Sequence, residues 1–218
     1  MWTDFNTLMS GNAIMAIFRN KSVDESLKLA EKAWDLGMDL VEIPIQTTDA
    51  IPVLEAVVRA GRERGKPVGS GTITTVEQVH LSHRLGAAFT VAPGFSHEVV
   101  RTSIELDLPH LPGVASASEI QKAVGLGCGW VKAFPATSLG AAWFVAMKGG
   151  PFPVVSFVAT GGIDATNAAE YLAAGASMVA VGSALTDSNQ IELLAPLVRR
   201  SISSRRVSGY RRRVCAGG

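Results

Sequence analysis

Short apolar runs alternate with helix-period segments from one end of the chain to the other. The first run, Ala13–Phe18, ends at Arg19, and Ser22 or Asp24 then caps a helix that continues through Asp35 and closes at Gly37. Leu40–Ile45 is the second run, followed by a helix that opens at Asp49 and stops at Gly65. The third run, Pro67–Gly71, precedes a helix over Thr75–Leu85, and the fourth, Ala88–Ala92, precedes Pro93-Gly94 and a helix from about Ser96 to Leu106. A short strand at His110–Leu111 leads to a helix at Ser116–Val124, and Trp130–Phe134 leads to one at Leu139–Lys148. Val154–Ala159 with Ala165–Ala173, and Met178–Val181 with a helix from about Ser188 to Val198, complete the pattern.

Eight strand–helix repeats predict an α/β fold of the (β/α)8 TIM barrel type, in a single domain over residues 1–198. An open doubly wound sheet would carry a glycine-rich first turn of the GxGxxG kind, which does not follow the first run. Strand alternation assigns directions as well. Trp130, Lys132 and Phe134 share one face while Val131 and Ala133 share the other, and Glu42 faces away from its apolar neighbours Val41 and Ile43, hence inward.

Composition agrees with a large core: 47% of residues are hydrophobic and 18% charged, which excludes a disordered chain. The formal net charge of +1 conceals an asymmetry, because seven arginines and no acid lie from Arg199 onward and the remainder is net acidic. Residues 199–218 therefore form a basic tail, expected to be disordered. Polyanion binding by this tail is one alternative role, although nucleic acid is not the expected partner of the chain. Two cysteines, Cys128 and Cys215, have no metal-ligand spacing. Neither a signal peptide nor a stretch near the roughly 20 apolar residues of a membrane span is found, so a cytoplasmic location and no membrane partner are expected.

Barrel enzymes place their chemistry at the C-terminal ends of the strands. Those ends hold Arg19, Glu42 with Gln46, Thr72, Pro93, Lys132, Thr160-Gly161-Gly162 and Gly182-Ser183. Lys132 is the candidate nucleophile, since an amine in a desolvated interior can attack a carbonyl in its neutral form and the resulting iminium is an electron sink. Glu42 is either its structural ion-pair partner or a general acid/base. Glycines at the last two strand ends let backbone N–H groups approach an anion at a helix start. Arg19 can hold a carboxylate, and Thr72 offers a hydroxyl after Gly69-Ser70-Gly71. His80 and His83 read as solvent-facing, and neither a cofactor nor a metal is called for by the strand-end residues.

Taken together, Ala16-Ile17-Phe18-Arg19, Val41-Glu42-Ile43-Pro44, Gly69-Ser70-Gly71-Thr72, Val91-Ala92-Pro93-Gly94, Val131-Lys132-Ala133-Phe134-Pro135, Thr160-Gly161-Gly162 and Val181-Gly182-Ser183 resemble, in order and spacing, the 2-keto-3-deoxy-6-phosphogluconate/2-keto-3-deoxy-6-phosphogalactonate aldolase family, which includes 4-hydroxy-2-oxoglutarate aldolases. The resemblance implies a class I aldolase that reversibly cleaves a 2-keto-3-deoxy-6-phospho sugar acid to pyruvate and glyceraldehyde 3-phosphate, and a homotrimer. It implies a Schiff base on Lys132 and acid/base work by Glu42. Arg19 and Thr72 would bind the pyruvate carboxylate, and Pro93 and Phe134 would line the pocket. Gly161, Gly162, Gly182 and Ser183 would receive the phosphate. Gln46 stands where gluconate-type members tend to carry arginine, and with Pro44 it leans towards the galactonate type. The competing functions are a phosphate-binding barrel isomerase or epimerase, a metal-dependent aldolase, and a non-catalytic barrel.

Overall fold

The computed structural model describes residues 5–9, 11–182, 187 and 189–198. All strands run parallel in one sheet. Helix α1 is Phe5–Met9, and the barrel follows as β1 Ile14–Ile17, α2 Val23–Asp35, β2 Leu40–Pro44, α3 Ala50–Glu63, β3 Val68–Gly71, α4 Val76–Arg84, β4 Phe89–Val91 and α5 His97–Glu105. It continues with β5 His110–Leu111, β6 Gly113–Val114, α6 Ala117–Gly125, β7 Trp130–Ala133, α7 Ala136–Leu139, α8 Ala141–Gly149, β8 Ser156–Thr160, α9 Ala168–Ala173 and β9 Met178–Val181. A last helix, α10, spans 189–198.

The strand order is β5-β4-β3-β2-β1-β9-β8-β7-β6. Its two ends, β5 and β6, are halves of one extended segment broken at Pro112. Proline has no N–H to give a ladder, yet its carbonyl accepts from the Lys132 N–H at 2.8 Å. Leu111 O accepts from Ala92 N on the β4 side, and Val114 O accepts from Phe134 N on the β7 side. The segment thus joins both neighbours and closes the barrel, and the fifth strand reaches Val114 rather than stopping at Leu111.

Alternation sorts the apolar residues into two cores. Val41, Ile43, Val131, Ala133 and Ala159 pack outward against the helices. Met15, Leu40, Phe89, Trp130, Val158 and Met178 pack inside the barrel, with Phe5 and Met9 of α1 beneath them. Helix α1, absent from the sequence-based expectation, is a short plug: Phe5 stacks edge-on against Trp130 at 6.5 Å, and Trp130 Nε1 donates to Asn6 Oδ1 at 2.8 Å.

Helix starts follow local chemistry. Ser22 with Glu25, and Thr75 with Gln78, form reciprocal capping boxes. The helix expected over Leu139–Lys148 instead appears as α7 and α8, separated at Gly140 with φ 78°. His80 and His83 are exposed on α4. Cys128 is a buried free thiol. No helix among the described residues is long and apolar enough to cross a membrane.

Candidate active site

Lys132 and Glu42 both point into the barrel, two residues along from the interior Trp130 and Leu40. Their strands, β7 and β2, lie on opposite sides of the closed sheet. Lys132 is 3% exposed and Glu42 is fully buried. Burial raises the Glu42 carboxyl above the ordinary 4.5, and the positive charges of Lys132 and then Arg19 pull it part of the way back. Neither Glu42 oxygen has a hydrogen-bond partner among the described residues. The two charges therefore sense one another across the interior without closing into a hydrogen-bonded pair, which leaves the carboxyl able to exchange a proton.

The room for Glu42 comes from β3. A Cβ on Gly71 would collide with the Glu42 carboxylate, and one on Gly69 would collide with the Phe89 ring. Both glycines face inward, while Ser70 between them faces outward and donates to Ser82 Oγ at 2.6 Å. Thr72, directly after, has φ 60°. For a β-branched residue this costs about 1–3 kcal/mol, and such strain persists where the surroundings demand a particular backbone direction.

Above these residues lies a cleft of about 450 Å3, bounded by the ends of β1, β8 and β9. Arg19, Phe134, Gly161, Gly162 and Gly182 line it, so five of the residues expected at the site share one cleft. Lys132 lies just below: its Nζ is 5.2 Å from the centre of the Phe134 ring, which itself faces the cleft. Gly161 and Gly162 have φ of 98° and 75°. A side chain at Gly161 would press on Phe134, and one at Gly162 would strike Thr137. The turn is pinned by Thr137 N donating to Gly161 O at 3.1 Å and Asn167 Nδ2 donating to Gly162 O at 2.9 Å. Its glycines thus permit both the left-handed backbone and the close approach to Phe134.

Thr72 and Pro93 are half-buried at neighbouring strand ends and do not line this cleft. Pro93 packs its backbone against Gly113. Ser183 lies outside the described residues. Gln46 lines a second, smaller cleft of about 270 Å3 beside Phe18 and Lys21.

Other residues of the main cleft were given no role from the sequence, among them Thr160 and Lys21. Thr160 lines it, 5% exposed, with its Oγ1 unpartnered among the described residues. Its place two residues after the interior Val158 was the available signal. Lys21 lines it from the β1–α2 loop, where no periodicity reports direction. No group of three or more histidine, cysteine, aspartate or glutamate side chains gathers as a metal site among the described residues.

Residues 6–195 match the model of the KDPG and KHG aldolase family. A 2-dehydro-3-deoxy-phosphogluconate aldolase of Treponema pallidum is 35% identical over 162 residues, covering 73% of this chain and 75% of that protein. A 2-dehydro-3-deoxy-6-phosphogalactonate aldolase of Escherichia coli is 30% identical over 177 residues, covering 81% and 86%. Among solved structures, the KDPG aldolase from Legionella pneumophila, with pyruvate captured at low pH as a covalent carbinolamine intermediate, superposes with a TM-score of 0.77 at 30% identity, covering 90% of this chain and 97% of that one.

Proposed function

The chain belongs to the KDPG and KHG aldolase family and is a carbon–carbon lyase, and from that premise we propose that it cleaves a 2-keto-3-deoxy-6-phospho sugar acid reversibly to pyruvate and glyceraldehyde 3-phosphate through a Schiff base on Lys132. The observation that supports this most is a buried lysine facing a buried, unpaired carboxylate beneath a cleft edged by glycine turns.

The neutral Lys132 amine adds to the C2 carbonyl, and protonated Glu42 gives its proton to the departing hydroxyl, so that loss of water from the carbinolamine leaves an iminium and a Glu42 carboxylate. Glu42, as carboxylate, takes the C4 hydroxyl proton while the C3–C4 bond breaks. The bonding pair moves into the iminium to give an enamine, and glyceraldehyde 3-phosphate leaves. Glu42 then returns the proton to C3, and hydrolysis releases pyruvate and the free amine. By the family resemblance Arg19 and Thr72 hold the pyruvate carboxylate, Pro93 and Phe134 wall the reacting carbons, and Gly161, Gly162, Gly182 and Ser183 receive the phosphate; Thr72 and Pro93 would act from the β3 and β4 strand ends beside the cleft rather than from its lining. Interior burial makes each proton transfer local, since bulk water does not compete. Gln46, exposed after β2, supports the galactonate type over the gluconate type.

We also assign the protein to the cytoplasm as a homotrimer. A second copy would cover the outer face of α8, where Ala142, Val145 and Ala146 are exposed and no charged residue precedes Lys148. The sequence-based reading of residues 199–218 as a basic tail lies outside the described residues.

Incubation with pyruvate and borohydride tests the chemistry. Peptide mass spectrometry should find the reduced adduct on Lys132, and a wild-type protein that forms no adduct at any lysine would sink the Schiff-base mechanism. Lys132→Ala should form none there and lose turnover by about a thousandfold or more while keeping its circular dichroism spectrum. Cleavage rates on galactonate- and gluconate-derived substrates then decide the epimer.

A further inference from the structure

The main cleft holds a charge that the family resemblance does not account for. Lys21, in the loop between β1 and α2, lines it together with Gly161, Gly162 and Asp164. It also lines the smaller cleft beside Gln46, so it stands on the ridge between the two. Its side chain is 34% exposed, and its ion pair with Glu25 is long, at 3.8 Å. Glu25 is already engaged at short range by Ser22, whose backbone N and Oγ donate to it at 3.1 and 3.0 Å. The capping box therefore engages Oε2 of that carboxylate, and the Lys21 ammonium, 3.8 Å from Oε1, is loosely held.

Asp164 sets the opposite condition. Thr166 donates to its carboxylate from both N and Oγ1, at 2.8 and 2.6 Å, and these bonds hold the group below the ordinary carboxylate range. A phosphate received by the Gly161-Gly162 turn would thus meet a fixed anion two residues away. Backbone N–H groups supply partial charges only, and Arg19 is the cation whose field reaches Glu42 deeper in the site. Among the described residues, Lys21 is the remaining cation of the cleft lining.

Resting on the aldolase function above, we propose that Lys21 contacts the phosphate of the substrate and sets the preference for phosphorylated over unphosphorylated sugar acids. Its ammonium offsets the Asp164 charge and supplies a charge-assisted bond that the glycine turns cannot. Its four-carbon stem lets it follow the phosphate from the ridge into the cleft without moving the barrel.

The test compares wild type, Lys21→Met and Lys21→Arg as full chains on a 2-keto-3-deoxy-6-phospho acid and on its unphosphorylated counterpart. Lys21→Met should lose roughly tenfold in kcat/KM on the phosphorylated acid, mainly through KM, so that the ratio between the two substrates falls by about that factor. Lys21→Arg should retain most of the preference. Added salt should weaken the phosphorylated reaction more in wild type than in Lys21→Met. Inorganic phosphate gives a readout independent of turnover: its dissociation constant, followed by phosphorus NMR, should rise in Lys21→Met. An unchanged substrate ratio, or an unchanged phosphate affinity, overturns the assignment. Loss of the pyruvate–borohydride adduct in wild type would instead refute the Schiff-base chemistry, which Lys21 does not touch.

Discussion

The two ends of the barrel interior are built from the same strands and reach the same burial, yet they solve the problem of buried polarity in opposite ways. Along β2, Leu40 at the lower end and Glu42 at the upper end are both fully buried; along β7, Trp130 is 5% and Lys132 3% exposed. Below, the one polar atom of Trp130 finds Asn6 Oδ1, and α1 closes the end with Phe5 and Met9. Above, both Glu42 oxygens and Thr160 Oγ1 are buried without partners among the described residues. An unmatched buried polar group costs about 1–3 kcal/mol. The upper end therefore carries a destabilisation that the lower end avoids, and its unmatched atoms are the ones left available to a substrate.

The sharpest way to break this contrast is from below. Trp130→Ala removes the largest interior side chain of the lower layer and its bond to Asn6, and should lower stability by about 3–5 kcal/mol, read by urea unfolding. Turnover per folded molecule should change little, because Lys132 and Glu42 belong to the other layer.

From above, Glu42→Gln should lower kcat by about a hundredfold or more without unfolding the protein. It should also change the pH dependence of stability. The folded-state carboxyl lies above its ordinary 4.5, so between 4.5 and the raised value the native state binds more protons than the unfolded one. This contribution to wild-type stability is full below that window and is lost as pH rises through it. Glu42→Gln should flatten that fall, and a mutant whose unfolding free energy tracks pH as wild type does would show that Glu42 titrates normally.

The smallest change sharpens the role of pairing itself. Asn6→Ala keeps Trp130 in place but strips its acceptor, and should cost about 1 kcal/mol in stability with turnover intact. A larger loss would mean that α1 as a whole detaches.

How far these features could be read in advance depends on whether they are local. The inward facing of Lys132 and Glu42 was legible because their strand neighbours Val131, Ala133, Val41 and Ile43 are apolar and the strand period is two. Thr160 obeyed the same rule but resembled an ordinary turn residue beside two glycines. The break at Gly140, the plug at Phe5–Met9 and the seam at Pro112 were not legible. The plug and the seam depend on what the segment meets: Trp130 for the plug, and both β4 and β7 for the seam.

The sequence alone settled the repeating strand–helix order, the barrel, and which side of β2 and β7 faces in, because periodicity, capping and turn chemistry act within a few residues. The tertiary structure alone decided that Glu42 and Lys132 meet across the interior, that Gly71 clears the space for a carboxylate, and that Lys21, Arg19 and Asp164 border one cleft. Those relations join residues far apart in the chain, and they exist only once closure of the sheet sets the distances between its opposite walls.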